Sequence, residues 1–322
     1  MNRLSLPFLL AFVLILGLRG GAVELNSLTK ETEVPAPIVY KTVGTTPLEL
    51  WRFPAAGARP DERRPAIVLI HGGAWKSGTA KTFFPQARYF ASRGMVGFSI
   101  NYRLLQPVAG SSVGDCYADC ASAIRYIRKH AAELGVDPER IAVLGDSAGG
   151  HLAGALGTLT GCDDPNDDRT VSAVPNAMIL CNPIVDFTEG GWIKFSIGGP
   201  LLSQKTPAAE LKPTEEQLQT AKRHSPLFQV RAGQPPTLLM HGLDDRIVTP
   251  DQARNFAAAM KKAGNRCDLK LIEGAKHAFI IAGYTAPEPI VVDAICTADR
   301  FLASLGFLKG EPTLTTTGES KK

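Results

Sequence analysis

The serine best suited to nucleophilic chemistry lies in the run Gly145-Asp146-Ser147-Ala148-Gly149-Gly150, which has the pattern Gly-x-Ser-x-Gly. An apolar segment precedes this run and a helical pattern follows it. A chain that turns directly from a strand into a helix holds its serine in a strained conformation and needs small neighbours. The turn would raise the Ser147 hydroxyl above the sheet, at the positive end of the helix dipole. The run therefore predicts a nucleophile for acyl transfer.

A second motif, HGGAW beginning at His71, follows another apolar segment. Its glycines allow the chain to turn backbone N–H groups towards a developing oxyanion, which acyl transfer requires. We assign the amides of Gly73, Ala74 and Ala148 to this oxyanion hole. His71 is expected to hold the loop by hydrogen bonds rather than to act as a base. Trp75 is expected to line the acyl pocket, with a place in the core as the alternative.

Among six histidines, His277 is the best candidate for the general base, because it lies in a loop directly after the last predicted strand. The acid that orients it is expected in the loop after the preceding strand, which contains Asp244 and Asp245. We choose Asp245 as this acid and assign Asp244 to loop capping. In such an arrangement Ser147 attacks a carbonyl, His277 takes the serine proton, and Asp245 holds the imidazole.

The elements that must position these residues follow from apolar patterning. Leu48–Phe53 alternates apolar and polar residues, as a half-buried strand does. Continuous apolar runs, typical of covered parallel strands, occupy Ala66–Ile70, Met95–Ile100, Ile141–Leu144, Ala177–Cys181, Thr237–Met240 and Leu269–Ile272. Helical patterns occupy 113–134, 148–159, 250–263 and 290–305. Alternating strands and helices predict an α/β fold, with a mostly parallel sheet and helices on both faces.

Other segments break this alternation. Residues 1–22 are expected to be a signal peptide and 23–35 a lead-in, with the catalytic domain at 36–308. Residues 187–234 are glycine-rich and then polar, and we expect a small cap insertion above the sheet. Residues 309–322 are polar and are expected to be a disordered tail.

Together these motifs resemble α/β-hydrolases of the esterase/lipase superfamily. The chain is most similar to the branch with an HGGxW motif, which includes secreted acetylxylan and feruloyl esterases. The segment Val136–Ile141 before GDSAGG, the 241–250 loop and His277 also fit, over about residues 36–306. HGGAW replaces the HGGG of the hormone-sensitive-lipase-like branch, whose large N-terminal helical cap is also missing. The resemblance implies an α/β-hydrolase fold and a serine esterase for short acyl groups that needs no cofactor.

The N-terminus predicts export. Arg3 is followed by the uncharged, apolar Leu4–Leu18 and then by small residues ending at Ala22. This pattern indicates a signal peptide cut after Ala22, with an uncleaved anchor as the alternative. We therefore expect a secreted or periplasmic protein without stable membrane association. A net charge of +4 without a long basic run argues against nucleic acid as a partner.

The six cysteines permit disulfides in an exported protein, but the sequence does not select their pairing. Cys181 lies in an apolar run and is expected to be a buried free thiol. No Cys/His cluster has the spacing of zinc ligands, so no metal is expected.

Export favours an esterase for acylated polysaccharides, such as acetylated or feruloylated carbohydrate, or for small esters. A prolyl-oligopeptidase-like peptidase shares the serine motif, but too few residues precede the first core strand for its propeller domain. An arylformamidase-like amidase shares HGGxW, but its usual substrate is intracellular. A non-catalytic binding protein would not need the complete set of catalytic residues.

Overall fold

The computed structural model describes residues 22–30, 33–105, 111–198, 207 and 210–318. The strands are β1 Val23–Glu24, β2 Pro37–Val43, β3 Thr46–Phe53, β4 Arg64–Ile70, β5 Val96–Ile100, β6 Val136–Asp146, β7 Ala177–Cys181, β8 Thr237–Gly242, β9 Cys267–Ile272 and β10 Leu314–Thr315. Eight of them form a central sheet with the order β2-β3-β5-β4-β6-β7-β8-β9. Its first two pairings are antiparallel and the others are parallel.

Helices cover both faces of this sheet, as the alternation predicts. They are α1 Leu25–Thr29, α2 Phe84–Ser92, α3 Val113–Lys129, α4 Ala148–Thr158, α5 Ile193–Ile197, α6 Glu215–His224, α7 Pro250–Lys262 and α8 Glu288–Ser304. Alternate residues of β4 belong to two separate apolar layers. One layer also holds apolar residues of α3, α4 and α7, and the other holds those of α1, α2 and α8. A strand covered on both faces is therefore apolar at every position from Ala66 to Ile70.

The insertion at 187–234 contains α5 and α6 in its described part. A capping box begins α6: the Thr214 hydroxyl accepts from the Gln217 amide, and the Gln217 side chain accepts from the Thr214 amide. Trp192 and Phe195 lie beside Trp75 of the HGGAW motif, with ring centroids 6.5 and 5.3 Å from it. The insertion therefore packs against the loop that follows β4.

The prediction of a disordered tail at 309–322 is wrong for residues 309–318, which are ordered against the domain. Residues 319–322 lie outside the described residues. β10 pairs in parallel with β1, and the Val23 amide donates to the Thr313 carbonyl over 2.8 Å. Arg93 bonds the carbonyls of Lys309 and Gly310, which fixes the start of this segment. Because these hydrogen bonds involve backbone groups of the segment, they do not depend on its side chains, and its polar composition could not predict them.

The sequence patterns located β3 to β9 and helices α3, α4, α7 and α8 to within five residues at either end. Strand β2 and helix α2 were not predicted. Nor were the elements inside the segments expected to be a lead-in, a cap and a disordered tail, which are β1, α1, α5, α6 and β10. The predicted signal peptide falls, up to residue 21, outside the described residues. In the described part of the chain no helix is long and apolar enough to cross a membrane.

All six cysteines lie in the described residues, and none of them forms a disulfide there. Cys181 is fully buried in β7, as predicted. Burial also raises the pKa of Cys116, Cys120 and Cys181 well above that of an exposed thiol.

Candidate active site

Ser147 occupies a strained turn between β6 and α4. Its backbone has φ 55° and ψ −118°, a conformation that L-residues rarely adopt. A Cβ atom on Gly145 would lie 2.0 Å from the Gly149 carbonyl oxygen, and one on Gly149 would lie 2.0 Å from that of Ile70. Both glycines are therefore required by the close approach of backbone, as the Gly-x-Ser-x-Gly pattern predicts. The turn presents Ser147 at the start of α4.

The structure brings Ser147, His277 and Asp245 together from three separate loops. The Ser147 Oγ lies 2.8 Å from His277 Nε2. His277 Nδ1 in turn lies 2.7 Å from Asp245 Oδ2. A carboxylate only accepts, so His277 Nδ1 carries a hydrogen and Nε2 is free to accept the serine proton. This arrangement has the geometry of a nucleophile, base and acid.

Asp245 is held by its own loop and by a second histidine. Its Oδ1 accepts from the amides of Ile247 and Val248 at 2.8 and 3.0 Å. His241 Nε2 lies 3.3 Å from Asp245 Oδ2 and 3.0 Å from the Val248 carbonyl, so this nitrogen is a donor. Burial opposes ionisation, but the bonds from His241 and His277 hold the pKa of Asp245 far below its ordinary value. Asp245 is therefore ionised and fixed in orientation, whereas Asp244 is exposed.

A second carboxylate, Asp146, acts electrostatically on His277. Asp146 is buried, and Asn182 donates from Nδ2 to its Oδ1. Burial raises the pKa of Asp146 to about 6, against the opposing effects of His277 and Asn182. Burial also lowers the pKa of His277, but the Asp245 hydrogen bond and the charges of Asp146 and Asp245 outweigh it, so this pKa is raised. No role was predicted for Asp146 beyond its place in the Gly-x-Ser-x-Gly motif.

The HGGAW loop turns sharply beside Ser147. Gly73, Ala74 and Trp75 all have positive φ, at 110°, 51° and 57°. A Cβ on Gly73 would lie 2.2 Å from the Ser77 carbonyl oxygen, so only glycine fits there. Gly73 and Ala74 line the same cavity as Ser147 and His277. Ala148 is the first residue of α4, where backbone N–H groups have no partner within the helix.

His71 supports this loop from below, as expected. Its ring is 1% exposed and stacks on Tyr102 with centroids 4.4 Å apart. The Tyr102 hydroxyl donates to the His71 carbonyl over 2.9 Å. Burial lowers the pKa of His71 to about 4, so this ring is neutral at physiological pH. Since His71 Nδ1 lies 2.7 Å from the Gly72 carbonyl, it serves the loop rather than Ser147.

The part of the chain that carries most of this site matches a known protein family. The model of the BD-FAE family matches residues 56–260 of the chain. The chain belongs to the BD-FAE family. The match spans the HGGAW loop, the Ser147 turn and Asp245, and the family and fold expected from the sequence are thereby confirmed.

Two solved structures of one enzyme are similar to this BD-FAE chain over most of its length. Esterase 2 of Thermogutta terrifontis phosphorylated by paraoxon is 39% identical and has a TM-score of 0.74, covering 87% of this chain and 98% of that one. The propionate-bound form is 40% identical with a TM-score of 0.74, covering 86% and 96%. Esterase LipQ of Mycobacterium tuberculosis is 28% identical over 77% of this chain. That match covers 57% of LipQ, so the chain spans little more than half the length of this relative.

The expectation that Trp75 lines the acyl pocket is wrong. Its side chain is fully buried against Phe187 and Phe195, with ring centroids 5.3 Å away in each case. The indole therefore lies in the core behind the oxyanion loop. Trp192 of the insertion lines the cavity instead. Its neighbours Gly190 and Gly191 mark a turn in the sequence, but nothing there predicts that the turn reaches Ser147.

The cavity over Ser147 has a volume of about 690 Å³. Besides the oxyanion loop and the catalytic groups it is lined by Trp192, Ile247, Ile281, Ala282 and Tyr284. Ile247 and Tyr284 are 61% and 70% exposed and form its outer rim. In the described part of the chain no three His, Cys, Asp or Glu side chains are grouped as a metal site requires. Sequence reasoning missed these apolar lining residues because none of them belongs to a motif: Ile247 follows Asp245, three others follow His277, and Trp192 comes from the insertion.

Proposed function

We propose that the protein is a secreted serine carboxylic-ester hydrolase that removes short acyl groups from carbohydrate. The observation that carries this proposal is the continuous hydrogen-bonded chain from Ser147 through His277 to Asp245, at 2.8 and 2.7 Å. The family membership and the similarity to T. terrifontis esterase 2 support the same reaction class. We assign Ser147 as nucleophile, His277 as general base and acid, and Asp245 as the orienting acid.

The acylation half of the reaction follows from this geometry. Ser147 Oγ attacks the ester carbonyl while His277 Nε2 takes the hydroxyl proton. The resulting imidazolium is stabilised by ionised Asp245. Negative charge develops on the former carbonyl oxygen, and we assign the amides of Gly73, Ala74 and Ala148 as its hydrogen-bond donors. Removing one donor of this kind typically lowers kcat by a factor of about 10²–10³. The leaving alkoxide then takes the proton from His277 Nε2, and the acyl group stays on Ser147.

Deacylation uses the same groups in reverse. A water takes the place of the departed alcohol and gives a proton to His277 Nε2 as it attacks the acyl carbon. The tetrahedral intermediate is held by the same three amides. Its collapse breaks the bond to Ser147 Oγ, which recovers its proton from His277. The products are a carboxylic acid and the free enzyme.

The short acyl chain is inferred from the cavity. Its volume of about 690 Å³ is shared between acyl and alcohol groups, and its rim is open at Ile247 and Tyr284. Each additional methylene would gain about 0.8 kcal/mol only where it is fully buried. We infer that a site open at Ile247 and Tyr284 leaves the end of a long acyl chain exposed to solvent. The propionate-bound structure of T. terrifontis esterase 2 also supports a short acyl group here.

The carbohydrate substrate and the exported location rest on the sequence. Arg3, the apolar Leu4–Leu18 segment and the small residues before Val23 have the order of a cleaved signal peptide. Polymeric substrates are met outside the cytoplasm, which is where such a leader would deliver the enzyme. The resemblance to secreted acetylxylan and feruloyl esterases points to the same substrates.

The test measures kcat/KM for 4-nitrophenyl acetate, butyrate, octanoate and dodecanoate, together with acetate and ferulate release from acylated xylan. We expect a maximum at acetate or butyrate and release from the polymer. A maximum at octanoate or beyond without polymer deacylation would contradict the carbohydrate-esterase proposal. Cleavage of proline-containing peptides or of N-formylkynurenine without ester hydrolysis would contradict the reaction class. Mass spectrometry of exported protein is expected to give Val23 as first residue.

A further inference from the structure

A second groove adjoins the cavity over Ser147. His277 and Ile247 line both spaces and thus form the boundary between them. The groove has a volume of about 550 Å³. Its lining is Asp244, Arg246, Ile247, Lys276, His277 and Thr285. The Thr285 hydroxyl donates to the His277 carbonyl over 2.6 Å, which joins two parts of the connection between β9 and α8.

The groove is cationic. Arg246 and Lys276 are exposed there, and neither forms an ion pair with any acidic residue in the described part of the chain. Among the described lining residues Asp244 is the single acidic one, so Arg246 and Lys276 leave this lining with a net positive charge. Lys270 of β9, by contrast, is partly buried and pairs with Asp293 at 2.7 Å. Arg246 and Lys276 are therefore available to a bound anion.

Two further cations, Lys76 and Lys81, are exposed on the segment that follows the oxyanion loop. The same segment supplies Ser77, Gly78 and Thr82 to the lining of the Ser147 cavity. Within the described residues, neither of these lysines forms an ion pair. Exposed cations on the segments that line a cleft favour the approach of an anionic substrate.

The reaction geometry defines which part of the substrate reaches the groove. His277 Nε2 gives its proton to the leaving alkoxide, so the alcohol must lie next to the His277 ring. The groove shares that ring with the cavity. The alcohol side of the ester, rather than the acyl side, therefore faces Arg246 and Lys276.

We propose that Arg246 and Lys276 bind an anionic group on the alcohol part of the substrate, so that the enzyme prefers esters of acidic sugars such as acylated uronic acids. This inference rests on the proposed ester hydrolase function and adds the substrate class. The guanidinium of Arg246 can donate two parallel hydrogen bonds to a carboxylate. Lys276 adds a point charge beside it.

The test compares two esters that differ in the charge of the leaving alcohol, 3-acetoxybenzoate and 3-acetoxybenzamide. Rates are measured for the wild type, the double variant Arg246→Gln/Lys276→Gln, and the control Lys309→Gln, which removes an exposed charge elsewhere. Exposed ion pairs are individually weak. We therefore expect the double variant to lose about three- to tenfold in kcat/KM on the benzoate only. The control is expected to retain both rates, and 0.5 M salt is expected to reduce the wild-type preference.

A third ester, 3-acetoxybenzenesulfonate, separates acidic sugars from sulfated ones. Loss on the benzoate alone would support carboxylate recognition, and equal loss on both anions would support a general anion site. Equal rates of wild type and double variant on the benzoate would overturn the inference, as would an equal loss on the amide. Hydrolysis of 4-nitrophenyl acetate by the wild type is measured as well, because it tests the proposed ester hydrolase function independently of anion recognition. No hydrolysis of any ester would overturn both.

Discussion

The indole N–H of Trp75 donates to His151 Nδ1 over 3.3 Å, which joins the oxyanion loop to the helix that begins after Ser147. His151 Nε2 lies 2.9 Å from the His224 carbonyl, so Nε2 carries the hydrogen and Nδ1 is the acceptor. Burial lowers the pKa of His151 to about 3, so the ring is neutral at physiological pH. The oxyanion loop is thus connected through Trp75 to His151 of helix α4, and through His151 to His224 of the insertion.

This connection predicts that His151→Leu damages activity without removing a catalytic group. The variant leaves the Trp75 N–H and the His224 carbonyl unpaired in the core, at about 1–3 kcal/mol for each buried group. We expect lower stability and a kcat reduced about tenfold to a hundredfold, since small displacements of an oxyanion donor are costly. Trp75→Phe is expected to be milder. Thermal unfolding and kcat are measured for these variants and for His130→Leu, a control at a more exposed histidine. An unchanged kcat in His151→Leu would contradict the proposed coupling between His151 and the oxyanion loop.

Ser147→Ala is expected to lower kcat for 4-nitrophenyl acetate by about 10⁴-fold or more and to leave the protein folded. The Ser147 backbone, rather than its hydroxyl, makes the turn, and its amide bonds the Cys181 carbonyl at 2.9 Å. Alanine at this φ remains strained, so the melting temperature is measured as well. Substantial turnover by a pure, folded variant would remove Ser147 from the role of nucleophile.

Asp245→Asn is expected to be far more damaging than Asp244→Asn. The Asp245 carboxylate orients His277 and stabilises its charged form, and an amide can present its N–H₂ to the same nitrogen and stabilise the wrong tautomer. Asp244 is exposed and contacts the neighbouring groove. We expect a loss of about 10⁴-fold for Asp245→Asn and little change on neutral esters for Asp244→Asn. The reverse order in kcat/KM would reassign the acid.

The raised pKa of His277 predicts the acid side of the pH profile. The base must be neutral to take the Ser147 proton, so activity falls as pH decreases through the pKa of His277. Because the hydrogen bond to Asp245 and the charge of Asp146 raise that pKa, the midpoint in kcat/KM is expected above about 6.5. Asp146→Asn removes one charge and is expected to move the midpoint to lower pH. Asp244→Asn serves as the control. If the midpoint for Asp146→Asn equals that of the wild type or of this control, the proposed effect of Asp146 on the pKa of His277 is contradicted.

The central strands, and the residues Ser147, Asp245 and His277 that the structure brings together, could be predicted because both depend on local pattern. A doubly covered strand such as Ala66–Ile70 must be apolar throughout, and the turn at Ser147 tolerates only glycine at Gly145 and Gly149. Helix α2 was missed because its apolar face includes buried Gln86, whose amide donates to the Ile280 carbonyl 194 residues away. Trp75 was misplaced for a related reason. Its position is decided by Phe187 and Phe195 of a distant segment, which no local pattern reveals.

The paired termini give the last prediction, that Leu314→Ala destabilises the protein. Leu314 is 5% exposed within the layer formed with α1, α2 and α8, and β10 pairs with β1 at Val23 and Glu24. Truncating a buried leucine costs about 2–5 kcal/mol, and a site at the edge of the core is expected near the lower value. Unfolding in urea is compared with Val174→Ala, an exposed control, and kcat is expected to be unchanged in both. A free energy of unfolding equal to that of the control would mean that residues 309–318 do not pack against the domain in solution.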